Sequence, residues 1–245
     1  MSLQRKIGVY EKYIKRVLDI ICATLAILVF WWLYAFIAVM VRIKMGKPIL
    51  FKQPRPGLID PETEKERIFD MYKFRTMTDA RDGNGNSLPD EQRLTKFGKL
   101  LRGTSLDELP EAFNIIKGNM SVIGPRPQLV RDMVFMTEEQ RMRHTAKPGL
   151  SGLAQVMGRN AISWDEKFKW DLKYIENVSF LGDLEIVFLT VKKVFGKGES
   201  SNELEVAADY GDELLKAGKV SQSQYDELQK KAKEILASRK NRGLV

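Results

Sequence analysis

Two adjacent carboxylates, Asp107 and Glu108, are the residues of this chain best placed to do chemistry. Pro110 follows closely, and because proline is tolerated only in the first turn of a helix, it predicts a helix that begins at about Asp107 or Glu108. A carboxylate at a helix N-terminus can act as a nucleophile or bind a hard cation. The same residue types are favoured as helix caps, so the pair alone fits either catalysis or capping.

Cations from two predicted elements could neutralise an anionic substrate beside these acids. Residues 67–77 alternate in the manner of a β-strand, which places Lys73 and Arg75 on one face. A short basic helix follows the next loop and brings Arg102 close to the acid pair. Lysine and arginine on a strand also serve as solvated edge protection, so this face has a structural alternative.

A stiff segment further along the chain, Gly124-Pro125-Arg126-Pro127, presents one more arginine. The two prolines restrict the backbone on both sides of Arg126, which lowers the entropic cost of binding a phosphate with its planar donor fork. A rigid surface turn is the alternative. The glycine-punctuated region 147–160 could bring backbone N–H groups, Gln155 and Arg159 to a ligand, although it contains no complete phosphate-binding loop.

These residues must be positioned by a chain that also enters a membrane. No charged residue occurs between Ile20 and Val41, and this run would extend about 33 Å as a helix, enough to cross a bilayer. Both flanks are basic, which favours a re-entrant helix with both ends at the cytoplasmic face over a spanning one. Trp31 and Trp32 lie in the middle of the run and favour a shallow insertion, whereas the absence of proline and glycine predicts no helix break.

Composition limits the class of partner. The 245 residues are 44% hydrophobic, enough to build a core, and the formal charge of +8 implies nucleic acid, an anionic lipid surface or a phosphorylated substrate. The only cysteine, Cys22, lies in the apolar run, so a disulfide framework is excluded. The only histidine, His144, follows two arginines and is predicted to lie on the surface.

The predicted fold is α+β, with a membrane-inserted N-terminal helix, a small β-hairpin, several short helices, amphipathic helices at the interface and a helical C-terminal tail. We expect three parts: a membrane-associated helix (1–47), a cytosolic catalytic domain (48–198) and a C-terminal extension (199–245).

Two features of the later chain support this division. The amphipathic stretches 164–176 and 180–195 could pack in a core or lie on anionic lipid. In the extension, Ser221 and Gln224 form a capping-box pattern, and this helical tail is a candidate oligomerisation module.

Six short motifs occur in a fixed order: Lys15-Arg16-x-x-Asp19, Phe51-x-Gln53-x-Arg55-x-Gly57, Tyr72-Lys73-Phe74-Arg75-Thr76-Met77, Ser105-Leu106-Asp107-Glu108-Leu109-Pro110, Gly124-Pro125-Arg126-Pro127 and Lys147-Pro148-Gly149. On these motifs the chain resembles a bacterial sugar transferase of the monotopic phosphoglycosyl transferase family, in its small form with little beyond the catalytic domain. The resemblance runs from about residue 13 to residue 197.

The resemblance implies transfer of a sugar 1-phosphate from a UDP-sugar to a polyprenyl phosphate, such as undecaprenyl phosphate, with release of UMP. It implies that Asp107 is the nucleophile, that Glu108 helps to bind Mg²⁺, and that the enzyme starts a surface glycan at the bacterial inner membrane. Lys73, Arg75, Arg102 and Arg126 are then the expected phosphate-binding residues.

The chain departs from the family pattern at two places. Many members carry Ser-Pro in the middle of the membrane segment, where this chain has Trp31-Trp32, so a spanning helix stays an alternative to the re-entrant one. Met157 stands where the family often has asparagine, which removes an amide near Gln155 and Arg159.

Two other function classes compete with the transferase. A non-catalytic, membrane-anchored scaffold or anionic-lipid binder would explain the basic flanks and the amphipathic helices, but it gives no role to the acid pair. A nucleic-acid binder would call for aromatic residues clustered on a basic face, and the membrane segment argues against it.

Overall fold

The computed structural model describes residues 5–158, 161–195 and 208–241, and it has the expected mixture of helices and small sheets. The N-terminal part consists of a π-helical turn (Tyr10–Ile14), the long helix α1 (Lys15–Met45), and strands β1 (Leu50–Ile59) and β2 (Glu66–Phe74). The central part consists of α2 (Asp90–Arg93), α3 (Lys96–Gly103), a 3-10 turn (Leu106–Glu108), α4 (Glu111–Lys117), β3 (Ser121–Ile123), α5 (Val130–Met133) and α6 (Glu138–Arg141). The C-terminal part consists of a second 3-10 turn (Met142–Thr145), β4 (Gly149–Ser151), α7 (Leu153–Met157), α8 (Trp164–Glu176), α9 (Phe180–Phe195), α10 (Tyr210–Lys216) and α11 (Gln222–Asn241).

The strands form two small sheets. β1 and β2 are antiparallel, with Leu50 opposite Phe74 and an irregularity between Pro56 and Ile59. β3 and β4 are parallel. The predicted strand at 67–77 ends earlier than expected, at Phe74, so Arg75 lies one residue beyond its end.

Helix α1 packs against the rest of the protein along its length. Near its start, Asp19 accepts hydrogen bonds from the Ser121 hydroxyl and the Val122 N–H, both at 2.9 Å. In its second half, the Tyr34 hydroxyl donates to the Leu109 carbonyl at 2.7 Å, and near its end Val41 is fully buried. Much of the remaining surface of the helix is exposed and apolar, and it consists of Val17, Ile20, Ile21, Leu25, Leu28, Val29, Phe30, Trp31, Trp32, Phe36, Val39 and Ile43.

The segment Tyr10–Met45 is long and apolar enough to cross a membrane, but it is not one straight helix. At Phe30 the backbone leaves the helical region, with φ −103° and ψ 15°. The absence of proline and glycine had predicted no break, and that expectation is wrong. The kink directly precedes Trp31-Trp32, the position where the resemblance places Ser-Pro.

Helix α9 is joined to the start of the chain by a buried polar cluster. The Asp183 carboxylate accepts hydrogen bonds from the hydroxyls of Tyr10 and Tyr174, each at 2.8 Å, and it forms an ion pair with Lys15. Ile186 faces the core, whereas the wide apolar face of α9 is exposed, so these side chains do not pack in a core: Phe180, Leu181, Leu184, Val187, Phe188 and Val191.

The C-terminal helices lie against the body of the protein. Asp132 on α5 accepts a hydrogen bond from the Tyr210 N–H at 2.9 Å, and Trp164 on α8 donates its indole N–H to the Ala208 carbonyl at 3.0 Å. Ala232 of α11 is buried against α5. The predicted boundary near residue 199 lies outside the described residues, whereas the capping box of Ser221 and Gln224 is present at the start of α11.

His144 is buried, so its predicted surface position is wrong. Its Nδ1 lies 3.1 Å from a carboxylate oxygen of Glu66, which also accepts a hydrogen bond from Arg141 at 2.8 Å. Burial lowers the pKa of His144 despite the neighbouring carboxylate. The histidine therefore packs as a core residue that ties the second 3-10 turn to β2.

Candidate active site

The acid pair lies on a 3-10 turn and not at the start of a longer helix. Asp107 and Glu108 belong to the turn Leu106–Glu108, and α4 begins only at Glu111, with Pro110 as its N-cap residue. The predicted helix start is thus about three residues too early. Ser105 enters the turn with φ 55°, in the left-handed region. This sharp entry lets both carboxylates project from a short turn.

The buried face of α4 differs from the one that apolar spacing predicts. An i, i+3, i+4 pattern from Leu109 places Phe113 and Ile116 in the core, but they are 40% and 37% exposed, whereas Asn114 and Ile115 are buried. Because the helix begins later, the residues that face β2 are shifted along the sequence. The Asn114 amide fastens α4 to β2 by accepting from the Tyr72 N–H at 2.9 Å and donating to the Asp70 carbonyl at 2.6 Å.

This link between α4 and β2 brings Lys73 to the acids. Its ammonium group lies 2.6 Å from a carboxylate oxygen of Glu108 and 3.4 Å from one of Glu111. Arg126 donates to the same Glu108 oxygen at 2.9 Å. Burial alone would raise the pKa of Glu108, but the charges of Arg126 and Lys73 outweigh it and hold that pKa well below its ordinary value.

Asp107 has different surroundings from its neighbour. Its carboxylate is buried and forms no ion pair with any residue in the described part of the chain. Burial raises its pKa to about 6; Lys73 opposes this shift and the charge of Glu108 adds to it. Asp107 is therefore a carboxylate that is ionised near neutral pH and is not engaged by a fixed cation.

Glu111 is a site residue that the sequence did not single out. It is buried in the first turn of α4, and burial together with the charge of Glu108 raises its pKa. The spacing of three residues between Glu108 and Glu111 was the available signal. It becomes meaningful only once both carboxylates are known to share Lys73.

The backbone around Arg126 is as rigid as its prolines predict. The Arg126 carbonyl accepts a hydrogen bond at 2.7 Å from Arg143, which is itself paired with the buried Asp171 at 2.6 Å. Gly124 allows the segment to pack closely, because a Cβ there would lie 2.2 Å from the Lys147 carbonyl oxygen. The guanidinium group of Arg126 is half exposed and is free to meet a ligand beside Glu108.

The other two predicted arginines differ in how many of their donors are occupied. Arg102 donates its Nε to the Thr76 hydroxyl at 3.1 Å. The Arg75 guanidinium binds the Met77 and Lys47 carbonyls, both at 2.8 Å, and pairs with Asp79 at 2.6 Å. Arg75 therefore holds the loop after β2 in place, and its role as a phosphate ligand stays a prediction.

One cavity of about 600 Å³ brings these groups together. Gln155 of α7 lines it, and both polar atoms of its buried amide lack a hydrogen-bond partner among the described residues. Arg159 lies outside the described residues. The predicted residues that line the cavity are Lys73, Arg75, Arg102, Asp107, Glu108, Arg126 and Gln155.

Several wall residues were not predicted as site residues. Arg55 carries a motif match, donates to the Pro127 carbonyl at 3.0 Å, and has its pKa lowered to about 10 by burial and by Arg126. Further wall residues come from α5, α8 and the segment before α10, where no local pattern in the sequence marks them; among these are Asp132, Trp164, Lys167, Asp171 and Asp209.

Comparison with known proteins identifies relatives over about three quarters of the chain. A family model described as bacterial sugar transferase matches residues 10–197. An uncharacterized sugar transferase of Bacillus subtilis, EpsL, is 49% identical over 74% of this chain and 87% of its own length.

Two further relatives have names that state a reaction. A UDP-N-acetylgalactosamine-undecaprenyl-phosphate N-acetylgalactosaminephosphotransferase of Aeromonas hydrophila is 36% identical over 74% of this chain. A UDP-glucose:undecaprenyl-phosphate glucose-1-phosphate transferase of Xanthomonas campestris pv. campestris is 35% identical over 75% of it. The matches span only 44% and 39% of these two longer proteins.

Proposed function

The chain belongs to the bacterial sugar transferase family, and from this premise we propose that it transfers a sugar 1-phosphate from a UDP-sugar to a polyprenyl phosphate, such as undecaprenyl phosphate, and releases UMP. The reactions named for the Aeromonas and Xanthomonas relatives support this choice. The observation that carries it is the placement of Asp107, buried and without a fixed cation, in a cavity whose wall also holds Lys73, Arg102 and Arg126.

In the proposed mechanism, an oxygen of the Asp107 carboxylate attacks the phosphorus that carries the sugar. The bond from that phosphorus to the bridging oxygen breaks, UMP leaves, and an aspartyl phosphosugar remains on the enzyme. An oxygen of the polyprenyl phosphate then attacks the same phosphorus, and the bond to Asp107 breaks. Two displacements thus replace one difficult exchange, and Asp107 returns to its ionised form.

The cationic residues account for the binding of a diphosphate beside carboxylates. Arg126 and Arg102 offer guanidinium donors to the phosphate oxygens, and Lys73 compensates the charges of Glu108 and Glu111. Arg75 acts in this proposal mainly by holding the loop that borders the cavity.

Mg²⁺ is the cofactor that we propose. Among the described residues there is no group of three or more histidine, cysteine or acidic side chains that could form a complete metal site. That pattern fits a magnesium ion, which commonly uses one or two carboxylates and completes its coordination with waters and substrate phosphates. Glu108, with Asp107 beside it, would hold the ion. When bound, Mg²⁺ would neutralise charge on the diphosphate.

We also propose that α1 is re-entrant and lies at the cytoplasmic face of the bacterial inner membrane. Asp19 near its start and Val41 near its end both contact the same body, which a helix running straight away from that body could not do. The kink at Phe30 and the basic flanks fit this topology. The exposed apolar faces of α1 and α9 would lie in anionic lipid, at the depth of the acceptor phosphate.

This activity would place the protein at the first membrane step of a surface-glycan pathway. The scaffold alternative does not account for a buried carboxylate that lies in a cavity between cationic groups. Assembly into a homo-oligomer through the C-terminal helices stays a prediction.

A screen of UDP-sugars tests the proposal. Detergent-solubilised protein, undecaprenyl phosphate and Mg²⁺ should release UMP from at least one donor. Without the acceptor, intact-mass analysis should find one phosphosugar on the protein and locate it at Asp107 by peptide mapping. Release of UMP with no adduct at any time would contradict the covalent mechanism, and no release from any UDP-sugar would contradict the proposed activity.

A further inference from the structure

The C-terminal extension described at residues 208–241 lies beyond the family match, yet it reaches the cavity. Asp209 lines the cavity wall. Its two neighbours are fixed to that wall, since the Ala208 carbonyl accepts from Trp164 and the Tyr210 N–H donates to Asp132. Residues 208–210 of the extension are therefore a built part of the cavity wall.

The cavity end formed by this contact, which we call the acidic end, contains Asp132, Lys167, Asp171 and Asp209. Asp132 lies within electrostatic range of Asp209, and Lys167 lies within range of Asp132, Asp171 and Arg126. The acidic end thus adjoins Arg126, where the proposed function places the donor phosphates. Its carboxylates would repel phosphate but can accept hydrogen bonds from hydroxyl groups.

Two buried side chains of the cavity wall, Asp171 of the acidic end and Gln155 of α7, independently call for a ligand. Oδ1 of Asp171 and both amide atoms of Gln155 have no hydrogen-bond partner within the described part of the chain, although both side chains are over nine-tenths buried and line the cavity. Buried polar groups are rarely left unpaired, because each costs free energy without a partner. A ligand rich in hydroxyl groups would satisfy them.

We propose that the extension closes the sugar-binding end of the donor cavity and that Asp209 is a specificity-determining residue for the sugar. The proposal rests on the proposed function. Asp209 forms an ion pair with Arg131 at 2.9 Å, which orients its carboxylate. It makes no capping hydrogen bond to α10, so its remaining acceptor positions are available to sugar hydroxyls.

Asp212 provides a matched control for this residue. It also pairs with Arg131, at 3.3 Å, and accepts a hydrogen bond from Tyr225, but it does not line the cavity. Asp209→Ala and Asp212→Ala therefore both weaken the attachment of the extension, and only the first removes a group from the acidic end. Thermal unfolding of both variants measures any loss of attachment.

The experiment compares full-length wild type and both variants by UMP release and by equilibrium binding of UDP-sugars and UMP. For Asp209→Ala we expect KM and Kd of the preferred UDP-sugar to rise about tenfold, the preference among sugar epimers to change, and the Kd of UMP to stay constant. Asp212→Ala should behave as wild type in all of these measurements.

Three results would overturn the proposal. The first is that both variants change the KM and Kd of the UDP-sugar equally, and the second is that Asp209→Ala changes neither. The third is that Asp209→Ala weakens the binding of UMP as much as that of the UDP-sugar, which would place the nucleoside at this end. If the wild type binds a UDP-sugar but releases no UMP, the proposed function fails, and the binding data still decide the role of Asp209. If the wild type binds no UDP-sugar, both proposals fail.

Discussion

Two regions of the site differ in whether their buried polar groups have partners within the protein. Where β2 meets the 3-10 turn and α4, Glu108 binds Lys73 and Arg126, and Asn114 uses both ends of its amide. Among the described residues, Asp107 forms no ion pair, and both amide atoms of Gln155 lack a hydrogen-bond partner. The first region has the contacts of a scaffold, whereas the second resembles a site that is completed by its substrate. Lys73 and Arg126, the cations that we propose for phosphate binding, pair with Glu108 and form no ion pair with the neighbouring Asp107.

The largest expected effect comes from removing the charge of the unpaired carboxylate. Asp107→Asn should lower UMP release by at least about a thousandfold, because the amide is not a nucleophile. Glu108→Gln should lower UMP release about a hundredfold. This substitution leaves the proposed nucleophile present but removes the carboxylate that pairs with Lys73 and Arg126. Steady-state UMP release measures both.

Circular dichroism and membrane flotation serve as controls for this pair of variants, and both should match the wild type. Full turnover by Asp107→Asn would contradict the role proposed for Asp107. A larger loss of UMP release in Glu108→Gln than in Asp107→Asn would contradict the roles proposed for both carboxylates.

The difference between the two carboxylates can also be measured as proton affinity in the metal-free protein. Carbon-13 NMR of labelled aspartate should report a pKa of about 6 for Asp107. In Glu108→Gln that pKa should fall, because the substitution removes a neighbouring negative charge and leaves Lys73 beside Asp107. Asp107 would then stay ionised to lower pH. A pKa of Asp107 near 4 in the wild type would mean that the two regions do not differ as described.

The smallest expected effects come from replacing the two buried amides, those of Gln155 and Asn114. Gln155→Leu removes an unpaired amide, so the Tm should stay constant or rise, while the KM of the UDP-sugar rises about tenfold or less. Asn114→Leu removes a fully paired amide and leaves the Tyr72 N–H unsatisfied, so it should lower the free energy of unfolding by about 1–3 kcal/mol.

Thermal unfolding and donor kinetics of these two variants provide the comparison. Equal loss of stability in both would show that Gln155 belongs to the scaffold region.

Local patterns predicted much of the fold. The helices Trp164–Glu176 and Phe180–Phe195 lie where periodicity places them, because apolar spacing reports the helix face directly. The helix start predicted from Pro110 was too early because proline is equally compatible with the first turn of a helix and with its N-cap position. The kink at Phe30 has no proline or glycine to announce it, and the burial of His144 depends on Glu66, 78 residues away.

The candidate site was predictable to the extent that its chemistry lies in contiguous motifs. Asp107, Glu108, Lys73 and Arg126 do meet, and each belongs to a short motif with recognisable chemistry. Asp132 and Asp209 enter the site through tertiary packing, which no spacing in the sequence encodes, and the spacing of Glu108 and Glu111 becomes a signal only once both are seen to contact Lys73. Arg75 shows the reverse case, since its charge suggested a ligand whereas its donors hold backbone carbonyls.

The packing of α1 has a consequence for the stability of the rest of the protein. Ala23 packs with Phe69 and Met71, and Val41 packs with Phe74 and Leu101, so the helix contributes to two hydrophobic clusters. The other members of these clusters are buried only while α1 lies against them. A body severed from its helix would therefore expose an apolar groove prone to aggregation.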